Sequence, residues 1–410
     1  MMPAWTLGTV QLLALGCVGI VMGAWLKKKF PLFDRLCIPT SIVGGMVFAF
    51  LALAFHARHI NFGVDTTLRD VMMVAFMTTV GLNARWDLVR RGGTKVVLML
   101  GLASVGALLQ NLLGIGLARM LRVNPLVGIL SGSVALTGGP ATAAAFGPTF
   151  EKMGVTGATE LATAAATFGI AISGLVGGYI GSSLIRRHQL KAGTPGRPGD
   201  VVSASLSGTE KTDLRLEAHG QDAHAVAGLL PAVLLIGVAM GAGSLISAAM
   251  NRLHFILPSY IGAMIAAAVI RNLNDKFHFF AISQARVDEC AMVALYLFIV
   301  TAVITLQLWK LAELALPLIV MLAAQVVLCW LMCMTASFYL MGRTYESAVM
   351  ASGFCGFMLG ITANAVAAME ELVEKFGPAP QAFLVVPVVG AFLVDFTNAL
   401  IITGMANALR

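Results

Sequence analysis

Long apolar runs separated by short polar gaps repeat from one end of this 410-residue chain to the other. Unbroken runs lie at about 7–26, 37–55, 67–84, 96–119, 158–185, 226–250, 255–270, 290–308, 312–341 and 381–405. A helix needs roughly 20 apolar residues to cross a hydrocarbon layer about 30 Å thick, so each run predicts a membrane span. Residues 186–225, between the fifth run and the sixth, are rich in Gly, Ser, Pro and charge and read as a flexible linker. The pattern predicts an all-α polytopic membrane protein.

Two more apolar segments, 126–147 and 346–369, are interrupted in the middle by glycines and small hydroxyl or amide residues. In lipid such a break would leave backbone groups without partners, whereas inside protein or beside a cavity it is tolerated. Both segments therefore predict re-entrant hairpins. Basic residues give the same parity: with the N-terminus outside and both hairpins re-entrant, 19 of the 27 Lys and Arg fall on the inner side. The first residues carry no Lys or Arg and the run after them ends in Lys27-Lys28-Lys29, so the opening run is expected to be a span and not a cleaved signal.

The two halves share a weak repeat. Asn83, Gln110, the first broken segment and Glu151-Lys152-Met153-Gly154 recur as Gln307, Gln325, the second broken segment and Glu374-Lys375-Phe376-Gly377. Five spans per half is odd, so the second half must be inverted. The expected organisation is an N-terminal repeat over 1–185, a cytoplasmic linker over 186–225 and a C-terminal repeat over 226–410, each repeat with five spans and one re-entrant hairpin. Inverted repeats with discontinuous segments are the architecture of secondary transporters.

Composition strengthens this reading. The chain is 58% hydrophobic and 11% charged, with a mean hydropathy of +0.87; a soluble surface needs more charge. Its net charge of +7 sits in the gaps between apolar runs and forms no basic patch with interleaved aromatics, which argues against a nucleic-acid partner. The six cysteines lie in or beside apolar runs without CxxC spacing and read as small hydrophobes. The seven histidines fall at or beyond run ends, which removes a haem-binding membrane subunit. With no nucleophile–base or metal-ligand set at depth, an enzyme is not expected and no cofactor is implied. A channel would need polar residues lining several helices, and the pattern lacks them.

The chemistry is expected at the breaks. In Leu136-Thr137-Gly138-Gly139-Pro140-Ala141-Thr142, Thr137 reads as a helix cap and Pro140 as a first-turn residue of the following half-helix. Free N–H groups at that start suit an anion. The second break runs from Gly353 through Gly356 to Thr362 and Asn364, with Thr362 as the expected cap. Candidate substrate contacts are Thr137, Gly138, Gly139, Thr142, Gly356, Thr362 and Asn364. Close packing through small residues is the competing reading of each motif.

Asp395 is the only charge between Gln381 and Thr403, with Asn398 three positions on and on the same helical face. A carboxylate at depth must be paired, protonated or bound to a cation. No Lys or Arg lies mid-span to pair with it, so Asp395 and Asn398 are read as cation ligands, with a proton as the alternative. Asn83, Gln110, Thr167, Gln307 and Gln325 also interrupt apolar runs, and for each a helix-to-helix hydrogen bond is expected. Thr167 is carried in addition as a third cation ligand.

The whole chain resembles the bacterial sodium/glutamate symporters. The specific segments are Gly377-Pro378, Ala382-Phe383-Leu384-Val385-Val386-Pro387, Val389-Gly390-Ala391-Phe392, Asp395 and Asn398-Ala399-Leu400. Gly81-Leu82-Asn83-Ala84, Gln110-Asn111, Ala166-Thr167-Phe168-Gly169 and Cys355-Gly356-Phe357 are also similar. The resemblance implies sodium as coupling ion at Asp395, Asn398 and Thr167, glutamate or a similar small carboxylate as substrate, and a homodimer. It further implies an elevator-type movement in a bacterial inner membrane, where the parity of the basic residues puts both termini on the periplasmic side. The chain departs from the family at the hairpins. It has Gly138-Gly139-Pro140-Ala141-Thr142 for Gly-Gly-His-Gly-Thr, and Gly353-Phe354-Cys355-Gly356-Phe357-Met358 for Gly-His-Cys-Gly-Phe-Gly. Both histidines are absent, which leaves another organic anion, a sulfonate or a less acidic amino acid open as substrate.

Overall fold

The computed structural model describes residues 5–30, 33, 39–56, 62–191, 222–252, 258–277, 279, 282–307 and 315–409. Most of the expected linker, 192–221, lies outside the described residues. The described chain is helical apart from one short parallel pair, β1 (Trp5–Leu7) and β2 (Phe62–Val64).

In the first half the helices are α1 (Thr9–Lys29), α2 (Thr40–His56), α3 (Thr67–Asn83), α4 (Trp86–Met120), α5 (Pro125–Val134), α6 (Gly139–Lys152) and α7 (Ala158–Arg187). In the second they are α8 (Asp222–Arg252), α9 (Ser259–Phe277), α10 (Gln284–Ile304), α11 (Leu316–Leu340), α12 (Tyr345–Leu359), α13 (Thr362–Phe376) and α14 (Pro380–Ala408). Among the described residues, 7 helices are long and apolar enough to cross a membrane: α1, α4 from Gly93, α7, α8 from Leu229, α10, α11 and α14. By composition and helix length this is a membrane protein. The expected spans at α2, α3 and α9 are shorter or more polar helices, and they are packed between the long ones. Their 17, 17 and 19 residues give about 25–29 Å at 1.5 Å per residue.

The helices sort by packing into two groups. In one, α1 packs on α2, α2 on α10, α10 on α3, α3 on α9, and α9 on α8. In the other, α7 packs on α6, α12 and α13, while α5, α11 and α14 pack on α4. The groups meet where the Phe146 ring of α6 stands edge-on to Tyr260 of α9, 5.2 Å between centroids. They meet again where the Gln307 N–H donates to Glu160 Oε1 over 2.9 Å.

Both expected broken segments are broken. α5 starts on a capped turn, with Pro125 in its first turn and Asn124 Oδ1 accepting from Leu126 N at 3.0 Å. It ends in a π-turn over Leu130–Val134, where Gly132 leaves helical geometry. The chain restarts as α6 at Gly139, whose φ of +65° suits a residue without Cβ. α12 is capped by Thr344, which accepts from Ser347 N at 3.2 Å, and it stops at Leu359. Gly360 leaves helical geometry and Ile361 is extended before α13 begins at Thr362.

Candidate functional site

The two breaks lie against each other. A Cβ placed on Gly139 would stand 3.0 Å from Ile361 Cγ2 and 3.5 Å from the Gly360 carbonyl. Helix α7 crosses the same spot through its own glycine: a Cβ on Gly169 would come within 2.1 Å of the Leu359 carbonyl and 2.8 Å of Leu136 Cδ2. The start of α6, the end of α12, the start of α13 and the middle of α7 therefore converge.

A buried amide network fixes this arrangement. Thr137 Oγ1 donates to Gln110 Oε1 at 2.6 Å, and Gln110 Nε2 donates to the Met358 carbonyl at 2.9 Å. Gln325 Nε2 in turn donates to the Gln110 backbone carbonyl at 2.7 Å. Asn364 Nδ2 holds the Ile170 carbonyl of α7 at 2.9 Å. At the π-turn of α5, Asn111 Oδ1 accepts from Ser133 N and Asn398 Nδ2 donates to Ser133 O, each at 2.9 Å. A π-turn disturbs the ordinary i→i−4 ladder and side chains take up the groups it frees.

Four oxygens of this network are buried without a hydrogen-bond partner among the described residues: Asn398 Oδ1, Asn364 Oδ1, Gln325 Oε1 and Ser133 Oγ. An unpaired buried acceptor is costly, and hard oxygens are the ligands that alkali and alkaline-earth cations select. Asp395 lies in α14 just past a second π-turn, Val389–Leu393, three residues before the fully buried Asn398. Among the described residues no hydrogen-bond or ion-pair partner is present for its carboxylate.

Several expected roles change. Thr137 does not cap α6; Gly138 occupies that position without a side-chain bond, and the Thr137 hydroxyl is used by Gln110. Thr362 is the first residue of α13, and Ile361 precedes it in the extended cap position. The Thr362 hydroxyl instead faces α14, 3.2 Å from where a Cβ on Gly390 would sit. Pro140 does occupy the first turn of α6. Thr142 is buried and its side chain covers Gly138, while Gly356 touches the Ala365 backbone across the second break. Gln110 and Gln325 bond between helices as expected, and Asn83 Nδ2 donates to Asp288 of α10 at 3.2 Å. Thr167 donates to Thr163 O on its own helix at 2.8 Å, because a helical threonine finds the i−4 carbonyl within reach. Gln307 makes its contact through the backbone. Ser133 was missed in the sequence reading; its only signal was its place in the glycine-broken run Ser131-Gly132-Ser133.

Replacing Gln110 by Met keeps its volume but removes the 2.9 Å donor to the Met358 carbonyl and the acceptor of Thr137, leaving only the longer 3.5 Å approach of Thr137 Oγ1 to that carbonyl among the described residues. The detergent-solubilised variant is expected to lose about 1–3 kcal/mol of stability. A denaturation midpoint equal to wild type would remove Gln110 from the framework of the breaks.

Paired helix breaks held by buried amides, in a bundle of long apolar helices, define a membrane transport protein of the secondary type, not an enzyme. Comparison with known proteins agrees. The profile of the sodium/glutamate symporter family matches residues 5–378. The sodium/glutamate symporters of Escherichia coli (strain K12) and Shigella flexneri are each 35% identical to the chain over 401 residues, 97% of this chain and 96% of theirs. That of Haemophilus influenzae is 32% identical over 400 residues, with the same coverage. The chain belongs to the sodium/glutamate symporter family. A weaker likeness, at a TM-score of 0.43 and 15% identity over 98% of both chains, is to the sodium proton antiporter MjNhaP1 from Methanocaldococcus jannaschii, and it bears no functional argument.

Proposed function

We propose that the protein carries out sodium-coupled symport of glutamate, or of a closely similar small carboxylate, across a bacterial inner membrane. The observation that carries this reading is the meeting of the two breaks. It brings the N-termini of α6 and α13 together with unpaired buried oxygens of Asn398, Asn364 and Ser133. Helix N-termini present free N–H groups and partial positive charge to an anion. The substrate contacts are Thr137, Gly138, Gly139, Thr142, Gly356, Thr362 and Asn364. No basic side chain stands among these residues, so the charge offset comes from backbone dipoles and co-bound cations, which favours a substrate of small net charge. Asp395 and Asn398 bind sodium. Thr167 joins them through its hydroxyl oxygen, which keeps a lone pair after donating to Thr163.

The transporter is built from inverted repeats, 1–185 and 226–410, joined by a cytoplasmic linker over 186–225, and works as a homodimer in lipid by an elevator movement. Each repeat contributes five spans and a re-entrant hairpin, around 126–147 and 346–369. Matching backbone crossings support this reading. A Cβ on Gly44 of α2 would meet the Gly19 carbonyl of α1 at 1.8 Å, and one on Gly262 of α9 would meet the Gly243 carbonyl of α8 at 2.2 Å. The packing of α2 on α10 is mirrored by that of α9 on α3. The helix group of α1–α3 and α8–α10 is the fixed scaffold, and the group holding both breaks is the part that moves.

Purified protein in liposomes is expected to accumulate labelled glutamate when an inward sodium gradient is imposed, and to stop when sodium is replaced by choline. Uptake that ignores sodium would overturn the coupling. Topology has its own test. A single cysteine at Thr6 should react with an impermeant thiol reagent on intact cells, and one at Ser207 should not. Labelling of the second site would remove the parity on which both re-entrant hairpins rest.

A further inference from the structure

Cys329 and Cys333 stand one turn apart on α11, where the helix enters a π-turn over Cys333–Ser337, and Cys355 comes from the middle of α12. The three sulfurs lie within 4.8 Å of one another, with Cys329 and Cys333 Sγ 4.0 Å apart. All three residues are buried, at 2%, 0% and 0% exposure. Among the described residues, the hydrogen-bonding groups against these sulfurs are the other thiols of the trio. None of the proposed sodium or substrate contacts involves them, and the i,i+4 spacing that pairs Cys329 with Cys333 gives no sign that Cys355 joins them. Neither α11 nor α12 carries a basic residue that could offset charge.

Soft thiol ligands select thiophilic centres, and the surroundings choose among these by charge. Three thiolates on zinc carry one net negative charge and want a fourth ligand; on copper(I) they carry two. Uncompensated charge at this depth is expensive. Three thiolates on a trivalent centre sum to zero and complete its pyramidal coordination. We propose that Cys329, Cys333 and Cys355 form a binding site for a trivalent thiophilic metalloid, with arsenic(III) as the probe. Arsenous acid, As(OH)3, exchanges its three As–O bonds for three As–S bonds. Each thiol hydrogen leaves on a departing hydroxyl as water, three waters in all, and no oxidation state changes. The product ties α12, one arm of the second break, to α11.

Purified full-length protein, reduced and then incubated with arsenite, is expected to hold one arsenic per chain, with three As–S bonds by X-ray absorption. Cys355→Ala, and Cys329→Ala with Cys333→Ala, should each lower arsenic affinity at least ~10-fold, since even an outer-shell change at such sites costs 10–100-fold. Serine at Cys17, Cys37 and Cys290 should leave it unchanged. Retained binding in Cys355→Ala, or coordination by two sulfurs only, would overturn the site. Should a core variant fail to fold, wild-type protein still decides. Arsenite-loaded chain, unfolded and alkylated at once, must show Cys329, Cys333 and Cys355 protected together while Cys17, Cys37 and Cys290 are labelled. Arsenic binding is read without transport, so its failure leaves the symport reading untouched.

Discussion

Asp395→Asn is expected to raise the sodium concentration for half-maximal uptake about 10–100-fold, the range seen when a metal site loses a supporting group. The substitution keeps the shape and one carbonyl oxygen while deleting the negative charge. A hard cation then loses the one anionic side chain in α14, Pro380–Ala408. Asn398 cannot compensate, because its amide nitrogen is committed to Ser133 O and only its oxygen remains for a cation. Glutamate affinity at saturating sodium should change much less, since the proposed carboxylate contacts are the helix starts at Gly139 and Thr362 and not Asp395. At low sodium both affinities should fall together, because coupling between two sites is reciprocal. Sodium titrations of glutamate uptake by wild type and variant decide the matter. An unchanged titration with altered pH dependence would take Asp395 out of the sodium site and make it a proton carrier.

Valine at Gly139 or at Gly356 is expected to reduce uptake to less than about one-tenth of wild type, for different reasons at the two positions. Gly139 has φ +65°, a region where a β-branched residue is a genuine outlier, and its new side chain would press on Ile361 across the junction. Left-handed backbone alone costs about 1–2 kcal/mol at a residue with Cβ. At Gly356 the conformation is ordinary, but a Cβ would stand 2.3 Å from Ala365 Cα and 2.6 Å from its nitrogen. The neighbour is backbone, so the two arms of the second break must separate. Both variants should still elute as a single species in detergent, because the damage is confined to the junction. Wild-type uptake rates in both would reduce the breaks to packing sites. A normal Gly139→Val beside a dead Gly356→Val would place function in arm packing alone.

The positions of the helices were legible in the sequence because lipid imposes a one-dimensional constraint. An apolar run of sufficient length must satisfy its backbone internally, so its ends can be read from composition. The breaks were legible for the same reason in reverse, since Gly138-Gly139-Pro140 and Gly353 to Thr362 cannot continue a lipid-facing helix. Asp395 stood out because it is the lone charge in its run. Roles that depend on a partner were not legible. Thr137 looked like a cap from its place before a glycine pair, but the nearest acceptor in space is Gln110, 27 residues earlier in the chain.

The sequence by itself thus determined the class of solvent, the helical elements, the two interruptions and the family, all of which follow from local composition and from motifs along the chain. The tertiary structure decided which interruption touches which helix: that Gly139 meets Ile361, that Asn398 reaches Ser133 across 265 positions, and that Cys355 joins Cys329 and Cys333. The physical reason lies in side-chain periodicity and reach. Hydrophobicity says which residues avoid water, but within a bilayer nearly every residue does so. The choice of neighbours then falls to small-residue crossings and buried hydrogen bonds, whose partners are far apart in sequence and adjacent only once the helices have packed.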